Sequence, residues 1–231
     1  MNIAELRTPA VLLDQRRLEQ NTRSMAQRAH ALGVRLRPHV KTHKCVEIGR
    51  LQVENHFGGL TVSTLAEAHY FAAGGFTDIT LAVPIALGRI EEILDFSLQV
   101  DAFHVLVDSI RAVEQLSARA RNRQQRVSVF LKVDCGYGRA GVVPGTGEAV
   151  ALARMLHEES SIEFRGLLTH GGHSYDCRNR EEILLVAEQE RSVVVNFAAQ
   201  LRKEGIQFPE VSVGSTPTMC VAENLSGVTE I

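Results

Sequence analysis

At 231 residues the chain has the size of one α/β-barrel domain or of two small domains. Apolar residues at 45% and charged residues at 23% suit a globular protein with a real core, and a net charge of -2 excludes an electrostatic case for nucleic acid or an anionic membrane surface. The apolar runs are strand-sized, well short of the roughly 20 residues of a membrane span. Residues 1–7 carry neither the apolar stretch nor the cleavage site of a signal peptide. Cys45, Cys135, Cys177 and Cys220 lie far apart without a CxxC pair, which fits free thiols in a reducing cytoplasm rather than a disulfide framework or a zinc knuckle.

In chain order, Asp14 can cap a helix that stops at Gly33, and a strand follows over 34–41. After a strand over 59–63, Thr64 with Glu67 reads as a capping box for a helix ending at Gly74-Gly75. Strands over 78–83 and 102–107 come next, and Asp108 or Ser109 opens another helix. A strand over 126–134 precedes a helix from Thr146, and a strand over 163–169 precedes the longest helix, opened by Asn179 with Glu182 and ended by Gly205. The last strands fall at 210–214 and 227–231. Eight strands alternating with helices predict an α/β fold with a parallel sheet, and in this length a (β/α)8 barrel rather than an open sheet. There is no linker, low-complexity stretch or internal repeat.

Two strands put charge on one face. Arg35, Arg37, His39 and Lys41 alternate with Leu36, Pro38 and Val40, and Ser128, Phe130, Lys132 and Asp134 alternate with Val127, Val129, Leu131 and Val133. In a barrel the apolar face packs on the helices, so the charged face points to the axis. There Arg35, Arg37, Lys132 and Asp134 read equally well as an internal ion network. Lys41 differs, because it ends its strand where barrel active sites are built.

Four constellations bear chemistry. Lys41 lies among Arg37, His39, His43 and Lys44, and a lysine can form a Schiff base only when desolvation or nearby positive charge keeps its amine neutral. A buried structural lysine is the other reading. Val213-Gly214-Ser215-Thr216-Pro217-Thr218 can expose backbone N–H groups and hydroxyls to an anion, or be only a turn. In Asp134-Cys135-Gly136-Tyr137-Gly138-Arg139-Ala140-Gly141 the glycines aim one cation, Arg139, at the mouth; otherwise it is a surface arginine. In Thr169-His170-Gly171-Gly172-His173-Ser174-Tyr175-Asp176, His170 could stack on a flat ring and His173 or Tyr175 could handle protons, although each histidine also reads as structural. A metal-dependent hydrolase built on His39, His43, His170 and His173 lacks a carboxylate spacing to complete its ligand set.

Arg37-Pro38-His39-Val40-Lys41-Thr42-His43-Lys44 resembles the cofactor-lysine signature of the D-threonine aldolase and D-serine dehydratase family, fold-type III pyridoxal-phosphate enzymes related to alanine racemase. The run from Lys132 to Gly141 resembles that family's Asp-x-Gly-x-x-Arg-x-Gly loop, and Val213 to Thr218 its phosphate turn, so the likeness covers nearly the whole chain. The resemblance implies a barrel of the alanine racemase N-terminal type with pyridoxal 5'-phosphate on Lys41. It places the phosphate at Gly214, Ser215 and Thr216, and His39, Arg139, His170 and Tyr175 around the ring and substrate, with His170 and Tyr175 as further catalytic candidates.

It further implies a lyase acting on D-3-hydroxy amino acids, in the cytoplasm and as a homodimer. The family's divalent metal is held by a β-rich domain after the barrel. The whole chain, 1–231, is expected to be a single barrel domain that stops inside the eighth strand, without that domain or its metal ligands. Residues 8–14 are also strand-like, and in the family they belong to that domain. A non-catalytic pyridoxal-phosphate homeostasis barrel and an alanine-racemase-like racemase are the alternatives.

Overall fold

Most helices begin at a side chain that accepts one of the N–H groups left orphaned in a first turn. In the computed structural model, which describes residues 2–231, Asp14 accepts from Arg17 and opens α1 (Gln15–Ala31). Helix α2 (Val46–Val53) starts without a side-chain cap. Thr64 caps α3 (Leu65–Ala73), but the box is not reciprocal: the Glu67 carboxylate accepts from Ser63 N–H at 2.8 Å, one residue before the cap. After α4 (Ile90–Ser97), Ser109 rather than Asp108 caps α5 (Ile110–Asn122). Thr146 caps α6 (Gly147–Glu158), and Asn179 caps the 24-residue α7 (Arg180–Lys203).

Between the helices lie β1 (Leu60–Val62), β2 (Asp78–Pro84), β3 (Ala102–Val107), β4 (Val127–Lys132), β5 (Ile162–Leu168) and β6 (Glu210–Ser212). They form one parallel sheet in the order β1-β2-β3-β4-β5-β6. The expected α/β class and parallel pairing hold, while six strands replace the expected eight. The segments expected as first and last strands make only isolated bridges: Arg35 to Glu230, His39 to Thr61 and Ser212 to Glu230. In the first of these segments the reason is local. Pro38 has no N–H for a ladder, and His39 turns the chain by accepting the Lys41 N–H, which starts a 3-10 turn over Val40–Thr42. Hydrogen bonds still join these segments, from Arg35 N–H to Thr229 O (3.0 Å), Ile231 N–H to Arg35 O (2.9 Å) and Arg37 N–H to Ile231 O (2.8 Å), and Thr61 N–H reaches Pro38 O (2.9 Å).

The alternation read in β4 holds. Val127, Val129 and Leu131 join the large apolar core against the helices, whereas Phe130 belongs to a small separate cluster with Leu106 and Leu168. The same inner face carries charge near the N-terminal ends of the strands. Arg37 bonds Asp78 (2.5 Å) and Glu230 (2.8 Å), Arg35 pairs with Glu210, and Arg165 bonds Glu210 at 2.8 Å. Burial works to raise the Asp78 carboxyl, but hydrogen bonds from His104 and Arg37 and the charge of Arg37 outweigh it and hold the group well below the usual carboxylate range. Arg35 and Arg37 are therefore network residues. Lys132 and Asp134, grouped with them on sequence, are not part of that network.

Candidate active site

The C-terminal ends of the strands gather the residues singled out for chemistry. Lys41 is exposed on its 3-10 turn, which the fully buried Val40 anchors to the core. His39 Nδ1 accepts from the Lys41 backbone N–H at 3.3 Å, so the ring proton sits on Nε2, 3.3 Å from Ser63 Oγ. Burial, and next the charge of Lys41, push the His39 pKa down to about 4, so the ring is neutral at pH 7. His43 is committed elsewhere: Nδ1 accepts from Cys45 N–H at 3.1 Å and Nε2 meets Gln52 Oε1 at 2.9 Å.

His170 follows β5. Its Nδ1 donates to Gly214 O at 2.8 Å, which ties it to the turn after β6. Burial lowers its pKa to about 4 against the opposing effect of that hydrogen bond, and the charges of Lys132, Arg139 and Lys41 push the same way as burial. The result is a neutral imidazole with its lone pair on Nε2. In the turn, Ser215 caps the short helix α8 (Thr216–Val221) in a reciprocal box with Thr218. The amide of Gly214 donates to the Glu190 carboxylate and that of Ser215 to Thr218 Oγ1, both at 3.1 Å. Of the three residues expected to meet a phosphate, only the exposed Thr216 keeps its N–H and hydroxyl without a partner among the described residues.

The glycine loop after β4 is shaped by Asp134, whose carboxylate accepts the N–H groups of Gly136 (3.0 Å), Tyr137 (2.9 Å) and Gly138 (3.0 Å). That local role is why Asp134 stays out of the interior network. The loop lays Tyr137 edge-on to His170, centroids 6.5 Å apart, and against His173 at 5.8 Å with 29° between planes. Gly172 makes room for this, since a Cβ there would fall 2.4 Å from the Tyr137 ring. Arg139 is exposed over that ring, 5.1 Å from its centroid, and forms no ion pair among the described residues. Both ring nitrogens of His173 are buried without a partner. Tyr175 is 63% exposed and makes none of the contacts that join His39, His170 and the turn.

Three further residues at this edge carry little signal in the sequence. Tyr137 was visible only as part of its loop. Lys132 was grouped with the network, but it is buried at the end of β4 without an ion pair among the described residues, and burial lowers its pKa to about 8. Glu190 lies in α7, where Val186, Ala187, Val194, Phe197 and Leu201 form the buried stripe. A carboxylate inside an apolar stripe of helical period was the available signal.

The fold and this edge define a parallel α/β protein that collects an exposed amine, two neutral imidazoles, a free arginine and a glycine turn at the C-terminal ends of its strands. The chain belongs to the family described as alanine racemase, N-terminal domain, whose model matches residues 13–230. It is 40% identical over 227 residues to the D-threo-3-hydroxyaspartate dehydratase of Delftia sp. (strain HT23), covering 98% of this chain and 60% of that protein. The solved structure of that dehydratase superposes with a TM-score of 0.93 over 98% of this chain and 60% of the other. The D-serine dehydratase of Dictyostelium discoideum is 36% identical over 94% of this chain and 58% of its own length, and the D-threonine aldolase of Arthrobacter sp is 31% identical over 93% and 56%. The chain thus spans about 60% of the length of the relatives it matches.

Proposed function

We propose that the protein is a pyridoxal-phosphate-dependent lyase for D-configured 3-hydroxy amino acids, with the cofactor carried on Lys41. The observation that supports this most is the hydrogen bond from His170 to Gly214 O, which joins the neutral ring near Lys41 to the expected phosphate turn. Two of the relatives named above are dehydratases, at 40% and 36% identity, and the aldolase stands at 31%, so dehydration is the first reading and aldol cleavage the second.

The donor set fits an aldehyde, a flat ring and a phosphate. When bound, pyridoxal phosphate supplies an electron sink for charge developing at the substrate Cα. Lys41 offers the amine, and His39 holds the peptide that carries it. His170 presents an uncharged ring with an Nε2 lone pair able to take a proton. Thr216 would donate to phosphate oxygens, and Arg139 would balance a phenolic oxygen or a substrate carboxylate.

Among the described residues no three His, Cys, Asp or Glu side chains come together to hold a metal ion. No helix is long and apolar enough to cross a membrane. The same reading has 35–39 and 229–231 close the six strands into a barrel through their bridges, in a cytoplasmic homodimer.

The test is borohydride reduction of the cofactor-loaded protein followed by peptide mapping. The expected result is a reduced adduct on Lys41, and an unmodified Lys41 with cofactor bound refutes the reading. Lys41→Ala should lose the visible absorption of the bound cofactor and keep its melting temperature, because the side chain is exposed. Incubation with D-3-hydroxyaspartate, D-serine and D-threonine plus a divalent metal separates a keto acid and ammonia from glycine and an aldehyde. Bound cofactor with no turnover supports the carrier alternative.

A further inference from the structure

Glu190 is fully buried on α7, yet it touches both loops of the proposed site. One carboxylate oxygen accepts the N–H of Gly171, next to His170, and the N–H of Gly214 at 3.1 Å. The other accepts the Thr218 hydroxyl at 2.7 Å. Gly171 is matched to it, since a Cβ there would lie 3.0 Å from the carboxylate.

The hydrogen bonds behind Thr218 have a consistent direction. Thr218 Oγ1 accepts the Ser215 N–H at 3.1 Å and lies 2.9 Å from Ser215 Oγ, which lies 2.8 Å from Ser174 Oγ. With the Thr218 hydroxyl given to Glu190, Ser215 donates to Thr218 and Ser174 donates to Ser215. Accepting at both oxygens, Glu190 thereby orders three hydroxyls; burial pushes its pKa up, and the bonds from Thr218, Gly171 and Gly214 work against that to favour the acceptor form. It also locks the peptides on either side of the His170–Gly214 hydrogen bond.

We propose that Glu190 is the positioning residue of the cofactor site, holding the turn at Gly214–Thr218 so that Thr216 faces the phosphate; this rests on the cofactor reading given above. Glutamine keeps the oxygen that takes the two amides but turns an N–H toward Thr218 Oγ1. That hydroxyl must then turn away from residue 190, toward the Ser215 carbonyl oxygen at 3.1 Å or Ser215 Oγ at 2.9 Å, which disturbs the turn it caps. A buried acceptor replaced by a donor is costly because no water can compensate.

The test compares binding of pyridoxal phosphate with binding of pyridoxal, which lacks the phosphate, in wild-type protein, Glu190→Gln and Glu190→Asp. The proposal expects Glu190→Gln to weaken pyridoxal phosphate by about tenfold or more while changing pyridoxal less than about twofold. Glu190→Asp, which keeps a pure acceptor, should recover part of the loss. Equal weakening of both ligands, or wild-type affinity for both, overturns it. If Glu190→Gln does not fold, Thr218→Val removes the hydroxyl link to Glu190 together with the bond to the Ser215 amide, and an unchanged ratio of the two affinities in that variant overturns the proposal. Wild-type protein that binds neither ligand refutes the cofactor reading itself, and the role of Glu190 falls with it.

Discussion

Asp134→Ala should free the loop that carries Tyr137 and Arg139 without unfolding the sheet beneath it. The Asp134 carboxylate holds three N–H groups, of Gly136, Tyr137 and Gly138, at 2.9 to 3.0 Å. Each such bond is worth about 1 kcal/mol net when half-exposed, so the loop loses about 3 kcal/mol of local stability. The neck of the loop does not depend on this side chain: Asp134 N–H still reaches Val142 O (3.0 Å) and Val142 N–H still reaches Lys132 O (2.9 Å). Opening should therefore stay local, and hydrogen exchange is the assay that sees it. The amides of Gly136, Tyr137 and Gly138 should exchange about 100-fold faster, with a melting shift of only a few degrees, about 5 °C at most. Asp134→Asn retains the oxygen that accepts all three amides and loses the charge, so its exchange should rise by about tenfold or less. Unchanged protection in the alanine variant, or equal acceleration in both, would refute the assignment of this loop's order to Asp134.

Gly166→Ala should be much more damaging, because a Cβ there falls 2.0 Å from Glu210 O across the β5–β6 register and the backbone sits at φ 154°. Backbone strain and overpacking together predict a loss of about 4 kcal/mol, a melting shift of at least about 8 °C in calorimetry; a shift under about 3 °C would contradict the packing described. Acid should destabilise the protein between pH 6.5 and 4. His39 and His170 resist protonation until about pH 4 when folded, whereas an unfolded histidine takes a proton near 6.5, so in that window the unfolded chain binds more protons and stability falls as pH falls. Melting temperature measured across this range checks it, and a rise on acidification would sink it.

The helix starts were readable because capping is local. Asp14, Thr64, Ser109, Thr146 and Asn179 each reach an N–H within three residues, and no distant contact is needed to choose them. The inner and outer faces of β4 were readable for a similar reason, since side chains alternate on any strand. The 34–41 segment was harder. Its alternation is genuine, but one proline and one histidine that folds back on its own backbone reduce it to isolated bridges. The site residues divide in the same way. Lys41, His170 and Arg139 stood out by type and position, while Tyr175, on a loop of the same composition, is exposed and Tyr137 takes the place beside His170.

By itself, then, the amino-acid sequence determined the parallel α/β class, five of the helix starts, the family signature around Lys41 and the three glycine-containing stretches at the strand ends. All of these are encoded within a few residues of one another. The tertiary structure alone decided which charges pair at the strands' N-terminal ends, which histidines are neutral, and that Gly214 and Ser215 spend their amides on Glu190 and Thr218. Those outcomes depend on burial and on partners such as Glu190 and Gly214, 24 residues apart in the chain. The strength of a charge or hydrogen bond is set by the surroundings that folding builds, and these are not written at either residue.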